Sequence, residues 1–299
     1  MNQFGQVITA MVTPFGDAGE VNYDEAARLA QWLQDNGNDA LVLTGTTGES
    51  STLTDDEKIE LWDVVSTAVT IPVIAGTGSN DTIHSVHLTR EASRRNVAGV
   101  LAVCPYYNRP SQAGIAAHIN AMAAATSLPV IVYDIPVRTG RKIATETLLD
   151  LARNTKNIVG VKDAAGNPAE TAVLMTHAPS DFVLYSGDDG LTLAFLAYGA
   201  TGVIGVATHW SGHDHQEMIT AFKSGDVAKA RRINERLVES FSYETGEDAP
   251  NPIPTKVMME VLGFNVGDAR LPMGPAPATQ RAKAEAVLAN LVRARKEAL

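Results

Sequence analysis

Of the nine lysines in the chain, Lys162 is the one that ends an apolar run, Ile158-Val159-Gly160-Val161. The other eight stand in polar or helical contexts where water would solvate them. An ammonium drawn into a protein interior loses its hydration, so its pKa falls and the neutral amine becomes available. A neutral amine adds to a ketone and, on loss of water, gives an iminium that acidifies the neighbouring C–H. Strand alternation sets Lys162 on the same side as Ile158 and Gly160, and Gly160 would leave room around its stem. The alternative is structural, a lysine ion-paired with Asp163 or Glu49.

Other polar residues stand where they could serve such an amine. Tyr133 closes the apolar run before that of Lys162, so its hydroxyl falls one strand away. A tyrosine of ordinary pKa needs a relay to move protons well, and Thr46 and Tyr107 are the hydroxyls available. A tyrosine packed with a satisfied hydroxyl is the competing account of Tyr133. Thr46 and Thr47, in the turn Gly45-Thr46-Thr47-Gly48-Glu49-Ser50, can aim hydroxyls and backbone N–H groups at a carboxylate. Arg138, in Val137-Arg138-Thr139-Gly140, could grip a second carboxylate with two hydrogen bonds, or simply be a solvated loop arginine.

These residues need elements to hold them. Strand-like runs rich in Val, Ile and Leu recur eight times, at Val7–Thr13, Ala40–Thr44, Pro72–Ala75, Gly99–Val103, Pro129–Tyr133, Ile158–Lys162, Phe182–Tyr185 and Gly202–Ala207. Their near-continuous apolarity suits parallel strands buried on both faces. Helix signals lie between them. Ala26, Leu29, Ala30 and Leu33 share one helical face before Asn36-Gly37. Thr54 with Glu57 reads as a capping box, and Asn167-Pro168 as a cap followed by an N1 proline. Eight β-then-α units within residues 1–225 predict an α/β fold, the (β/α)8 TIM barrel, whose active site lies at the C-terminal ends of the strands. An open doubly wound sheet is the competing topology, but no strand leads into G-x-G-x-x-G or a Walker-type G-K-[ST] loop. Residues 226–299 change character, with helical periodicity over Val227–Phe241, Pro254–Leu262 and Ala278–Leu299, and read as a C-terminal helical appendage.

Composition removes several classes of function. With 45% hydrophobic and 19% charged residues, the chain is ordinary globular protein and not a disordered one. A formal net charge of −10 disfavours nucleic acid and anionic lipid as partners. The single cysteine, Cys104, rules out an intrachain disulfide and suits a reducing cytoplasm; before Pro105 it reads as a small buried hydrophobe. The stretch Met1–Phe15 has no basic segment and is broken by Pro14, so no signal peptide is expected, and no apolar run is long enough to span a membrane. His209, His213 and His215, with Asp214, invite a metal reading. The segment lacks the H-E-x-x-H glutamate and Gly212 would weaken a helix, so a solvent-facing loop and helix start is expected. Asp188-Asp189 reads as a helix N-cap.

At these residues the sequence resembles the 4-hydroxy-tetrahydrodipicolinate (dihydrodipicolinate) synthase family, within the pyruvate-dependent class I aldolases. The resemblance runs essentially end to end. It is carried by Gly45-Thr46-Thr47-Gly48-Glu49-Ser50, Pro105-Tyr106-Tyr107-Asn108-Arg109-Pro110-Ser111, Tyr133-Asp134-Ile135-Pro136, Arg138-Thr139-Gly140 and Gly160-Val161-Lys162-Asp163. It continues through Ser186-Gly187-Asp188-Asp189, Gly202-Val203-Ile204, Asn251-Pro252-Ile253-Pro254 and Arg270-Leu271-Pro272-Met273. The resemblance implies condensation of pyruvate with L-aspartate 4-semialdehyde, with Lys162 as the Schiff-base residue and Tyr133, Thr46 and Tyr107 as the proton relay. It implies that Thr47, Gly187 and Ile204 line the pyruvate site, and that Arg138 holds the carboxylate of the aldehyde. No metal or organic cofactor is implied. Family members are commonly homotetramers built as dimers of dimers, with Tyr107 reaching into the neighbouring subunit.

Two other readings stay open. A sugar-acid lyase of the same superfamily, cleaving N-acetylneuraminate or a 2-oxo-3-deoxy acid, would keep Lys162 and Tyr133, although Arg138 and Tyr106-Tyr107 speak against it. A barrel that binds pyruvate without catalysis would leave the lysine, tyrosine and threonine set unexplained. In relatives inhibited by lysine, the allosteric pocket is lined by positions matching Ser50, Ser51, Asp55, Lys58, Asn80, His84 and Tyr106. Good lysine binders of the family usually carry a glutamate at the position of His84 and a neutral ring at that of Lys58, so feedback by lysine is expected to be weak or absent here.

Overall fold

A computed structural model describes residues 4–297. Its strands are β1 (Val7–Ala10), β2 (Ala40–Leu43), β3 (Val73–Gly76), β4 (Gly99–Val103), β5 (Val130–Asp134), β6 (Ile158–Asp163), β7 (Val183–Ser186) and β8 (Gly202–Gly205). Each pairs in parallel with its sequence neighbour, and β8 returns to β1, closing the barrel. The (β/α)8 expectation holds, and the open doubly wound sheet is excluded by that closure.

Strand ends differ from the apolar runs where a hydrogen bond leaves the ladder. β8 stops at Gly205, short of Ala207, because the Val206 N–H turns to the Asp189 carboxylate at 2.8 Å and a helix begins at Thr208. The helix signals act as expected. Thr54 and Glu57 form the capping box, and Asn167 caps a helix that starts at Pro168. Ala26, Leu29, Ala30 and Leu33 are buried on one face of Tyr23–Asp35.

Alternation along the strands divides the core in two. Ile8, Val42, Ile74, Leu101, Ile131, Tyr133, Tyr185 and Ile204 point into the barrel. Val7, Leu41, Val73, Val100, Val132, Val161, Leu184 and Val203 point out, against the helices. Burial of both faces is what the nearly continuous apolar runs signify.

The histidine segment departs from expectation. His209 and His215 lie fully buried in the helix Thr208–Lys223, whereas only His213 of the three is exposed. His209 is a strut: its Nδ1 donates to the Val206 carbonyl at 2.8 Å and its Nε2 accepts the Val12 N–H at 3.2 Å. Gly212 is there because the chain passes close by, since a Cβ would lie 2.2 Å from the Asn36 carbonyl oxygen. Asp214 is buried between Arg236 at 2.7 Å and Arg295 at 2.5 Å, which ties the C-terminal helices Val227–Glu244 and Gln280–Glu297 to the barrel. The helix Ile253–Val261 lies between those two in sequence, and the segments around it fold over the C-terminal ends of the strands. No described helix is long and apolar enough to cross a membrane.

Candidate active site

Lys162 sits in register between Tyr133 of β5 and Tyr185 of β7, both of which point into the barrel. The lysine therefore points inward too, and it is 4% exposed. The route to that orientation differs from simple alternation. The pairing of β5 with β6 slips between Val130 and Ile131, so that Val159 is the extra residue of a bulge. Ile158 consequently joins the outer core while Lys162 faces the barrel axis. Gly160 makes room for the next strand, where a Cβ would meet the Val183 backbone at 2.4 Å. The glycine that accommodates the lysine stem is Gly187, whose Cβ would lie 3.0 Å from Lys162 Cγ.

The structural alternative for Lys162 finds no support in the carboxylates it named. Glu49 is 3.0 Å from Lys256 Nζ. Asp163 accepts from Thr171 at 2.6 Å and from the Ala165 N–H at 2.9 Å. Lys162 Nζ instead lies 4.4 Å from the Tyr133 ring centroid. Its pKa is lowered to about 8, chiefly by burial; Asp189 holds it up and Arg138 adds to the fall. The remaining lysines are not all solvated as their contexts suggested: Lys58 and Lys256 are also buried, at 5% and 2% exposure.

Burial raises the Tyr133 pKa to about 12, against the pull of Arg138 and of a hydrogen-bonding contact with Thr46. Such a phenol holds its proton and donates it only to a strong base such as an alkoxide oxygen. Tyr133, Thr46 and Arg138 face one cavity of about 440 Å³ at the C-terminal end of the barrel. Lys162, Thr47, Gly187 and Ile204 are not among the walls of that cavity. Ile204 packs inside the barrel with Tyr133. Thr47 is buried and accepts a hydrogen bond from Asn251 Nδ2 at 2.9 Å. Tyr107 lines the same cavity and is 88% exposed, whereas Tyr133 is buried. Arg138, on the short helix Pro136–Thr139, donates to the Asn251 carbonyl at 3.2 Å.

Backbone strain gathers around the same cavity. Among the described residues, Thr44, Glu49, Tyr107 and Arg109 are the non-glycine residues with positive φ, and all four line it. Each left-handed residue costs on the order of 1–3 kcal/mol, a cost that folds retain where a site requires the geometry.

The family follows once these residues are in place. Residues 3–291 match the model of the dihydrodipicolinate synthetase family. The chain belongs to that family. A 4-hydroxy-tetrahydrodipicolinate synthase of Moorella thermoacetica is 46% identical over 290 residues, covering 96% of this chain and 98% of the relative. The crystal structure of a dihydrodipicolinate synthase from Bacillus anthracis superposes with a TM-score of 0.93 at 42% identity, over 97% of this chain and 99% of that one. The Cyanidioschyzon merolae enzyme, solved with lysine bound, superposes at 0.94 with 42% identity, over 98% of this chain and 99% of that one.

Within this dihydrodipicolinate synthetase fold, several contacts of the site appear only once the chain is folded. Asn251 and Pro252 belong to Asn251-Pro252-Ile253-Pro254, one of the segments that carry the resemblance, and the fold lays it across the Thr47 turn. Lys256, Asp189 and Glu244 act from elements distant in sequence, and no local signal pairs them. Of the residues matched to the family's lysine pocket, Asp55 accepts from His84 Nε2 at 2.8 Å and lies 3.8 Å from Lys58 Nζ. That carboxylate is already held from two sides.

Proposed function

We propose that the chain is a 4-hydroxy-tetrahydrodipicolinate synthase that condenses pyruvate with L-aspartate 4-semialdehyde through a Schiff base at Lys162. The observation that carries this reading is a buried, inward-facing lysine, free of Asp163 and Glu49, whose amine lies over Tyr133. The neutral amine adds to C2 of pyruvate, and Tyr133 protonates the carbinolamine oxygen so that water leaves. Loss of a C3 proton turns the iminium into an enamine, whose C3 attacks the aldehyde carbon of the second substrate. The amine of that substrate then adds at C2, displaces Lys162 and closes the ring. Thr46 and Tyr107 complete the relay, Thr47, Gly187 and Ile204 shape the pyruvate site, and Arg138 takes the aldehyde's carboxylate. The exposure of Tyr107 suits its entry into a second copy of the chain, and a homotetramer in the cytoplasm is part of this reading.

Borohydride reduction in the presence of pyruvate should leave an adduct on Lys162. Turnover without borohydride then separates synthase from lyase: aspartate semialdehyde must be consumed, whereas turnover of N-acetylneuraminate or a 2-oxo-3-deoxy acid instead would sink the reading. Arg138→Ala should raise KM for the aldehyde on the order of 10²-fold, the worth of a charged pair, while the pyruvate adduct still forms.

Regulation follows from the Asp55 cluster. A lysine ligand must displace His84 and Lys58 from Asp55, and the extra cation repels its ammonium groups. Added lysine at about 1 mM, ample for an allosteric ligand of micromolar affinity, should leave the initial rate nearly unchanged. Strong inhibition below that concentration would contradict it.

A further inference from the structure

Two buried carboxyls that act on Lys162 through their charge have no part in the steps above; one of them, Asp189, follows closely on Gly187, which packs on the Lys162 stem. Asp189 follows β7 and Glu244 ends the helix Val227–Glu244, at 1% and 5% exposure. Asp189 Oδ2 accepts the Val206 N–H at 2.8 Å. Gly205 leaves the space that the other oxygen fills, since a Cβ there would lie 2.3 Å from Asp189 Oδ1. Asp189 Oδ1, Glu244 Oε2 and His215 Nε2 are each buried without a hydrogen-bond partner. Oδ1 lies 3.5 Å from His215 Nε2, and the two carboxyls are within hydrogen-bonding reach of each other.

His215 Nδ1 faces the Ser211 carbonyl at 2.9 Å, which makes Nδ1 the donor and leaves Nε2 an acceptor in the neutral ring. Acceptors turned together in a dry space require a donor among them. Two carboxylates sharing one buried site cannot both ionise cheaply. Burial first, then Asp189 and Asp188, push the Glu244 carboxyl well above the usual range. The main charge that favours the Lys162 cation is that of Asp189, and Arg138 opposes it.

We infer that Asp189 and Glu244 are positioning residues that keep one proton between them, on Glu244, and so present the Asp189 carboxylate as the fixed counter-charge of Lys162. The pair neither gains nor loses a proton during turnover. It supports the ammonium before pyruvate arrives and the iminium afterwards, so that a cation can form repeatedly in a buried site. This inference rests on Lys162 being the Schiff-base residue.

The test measures how the rate of adduct trapping with pyruvate and borohydride depends on pH. In the native enzyme that rate should rise through pH of about 8, as the Lys162 amine loses its proton. Asp189→Asn removes the counter-charge, so the midpoint should fall by about one pH unit, the effect of one nearby opposite charge. Pyruvate KM should rise about tenfold in the same variant, as one such unit of lost iminium stabilisation dictates. Glu244→Gln keeps a donor toward Asp189 and should move the midpoint by less than half as much. An unmoved midpoint in Asp189→Asn, or an equal fall in Glu244→Gln, overturns the inference. Infrared difference spectroscopy of the native protein near pH 8 should show a protonated-carboxyl band that Glu244→Gln removes. Absence of that band would mean that neither carboxyl holds a proton, and would overturn the inference even if Asp189→Asn fails to fold. Failure of pyruvate to label Lys162 at all would remove the functional reading instead, while the infrared result would still decide the state of the pair.

Discussion

Lys162→Ala should abolish the borohydride-trapped pyruvate adduct and lower kcat by about 10⁴-fold or more, because a positioned amine acts at an effective molarity of about 10⁵ M or above. No other lysine is placed to substitute. Lys58 lies at Asp55, and Lys256 is occupied by Glu49. Lys162→Arg separates charge from nucleophilicity, since a guanidinium keeps the cation but stays protonated and forms no imine. Mass spectrometry after reduction should find neither variant labelled, and a labelled Lys162→Arg protein would refute the assignment. Stability should move the other way. A lysine whose pKa falls to about 8 on folding opposes folding wherever the unfolded chain is protonated. Lys162→Met should therefore unfold no earlier than the native protein at pH 7, with a gain on the order of 2–3 kcal/mol at most. That advantage should shrink as pH rises from about 8 toward 10, where the unfolded lysine also loses its proton. A chain that tolerates this cost does so for the amine's reactivity.

The barrel was legible because its evidence is local and repeated. Each strand is a short apolar run, each helix carries its own cap, and the count of units selects the closed topology. Lys162 was legible for the same reason, as a charge in an apolar run. What stayed hidden depends on register or on distant chain. The bulge at Val159 reverses the facing of Ile158 relative to Lys162, and nothing in Ile158-Val159-Gly160 announces it. His209 and His215 read as a polar loop because their partners, Val12, Val206 and Ser211, are mostly backbone groups that only the fold supplies. Lys256 read as an ordinary helical lysine, yet seven residues of its helix, Ile253 to Met259, are buried and leave it no solvent to reach. Motifs disclose groups that act on substrate, and they are silent about groups that hold those residues in place.

Lys256 carries the second large effect. Its Nζ lies 3.0 Å from Glu49 Oε1, 3.1 Å from the Asp268 carbonyl and 4.1 Å from the Phe15 ring centroid. Both residues are buried, so the contact is a buried ion pair. Glu49 Oε2 meanwhile accepts the Arg270 N–H at 2.8 Å, and Glu49 itself stands at φ 57° in the turn that carries Thr46 and Thr47. The pair thus binds the C-terminal segment to the Thr46-Thr47 turn. Lys256→Met would leave a carboxylate buried without its cation, a change that costs about 3–5 kcal/mol. Glu49→Gln strands the ammonium instead. With the carboxylate gone, the buried amine favours its neutral form, so the deficit of Glu49→Gln should shrink toward pH of about 10. Joined in one chain, the two substitutions remove both charges, and urea unfolding should find the double variant more stable than Lys256→Met alone. Strictly additive losses would mean that the two residues act independently and that the turn is held by other contacts. Recovery of stability without recovery of kcat would show that the charge pair also sets where the turn places Thr46.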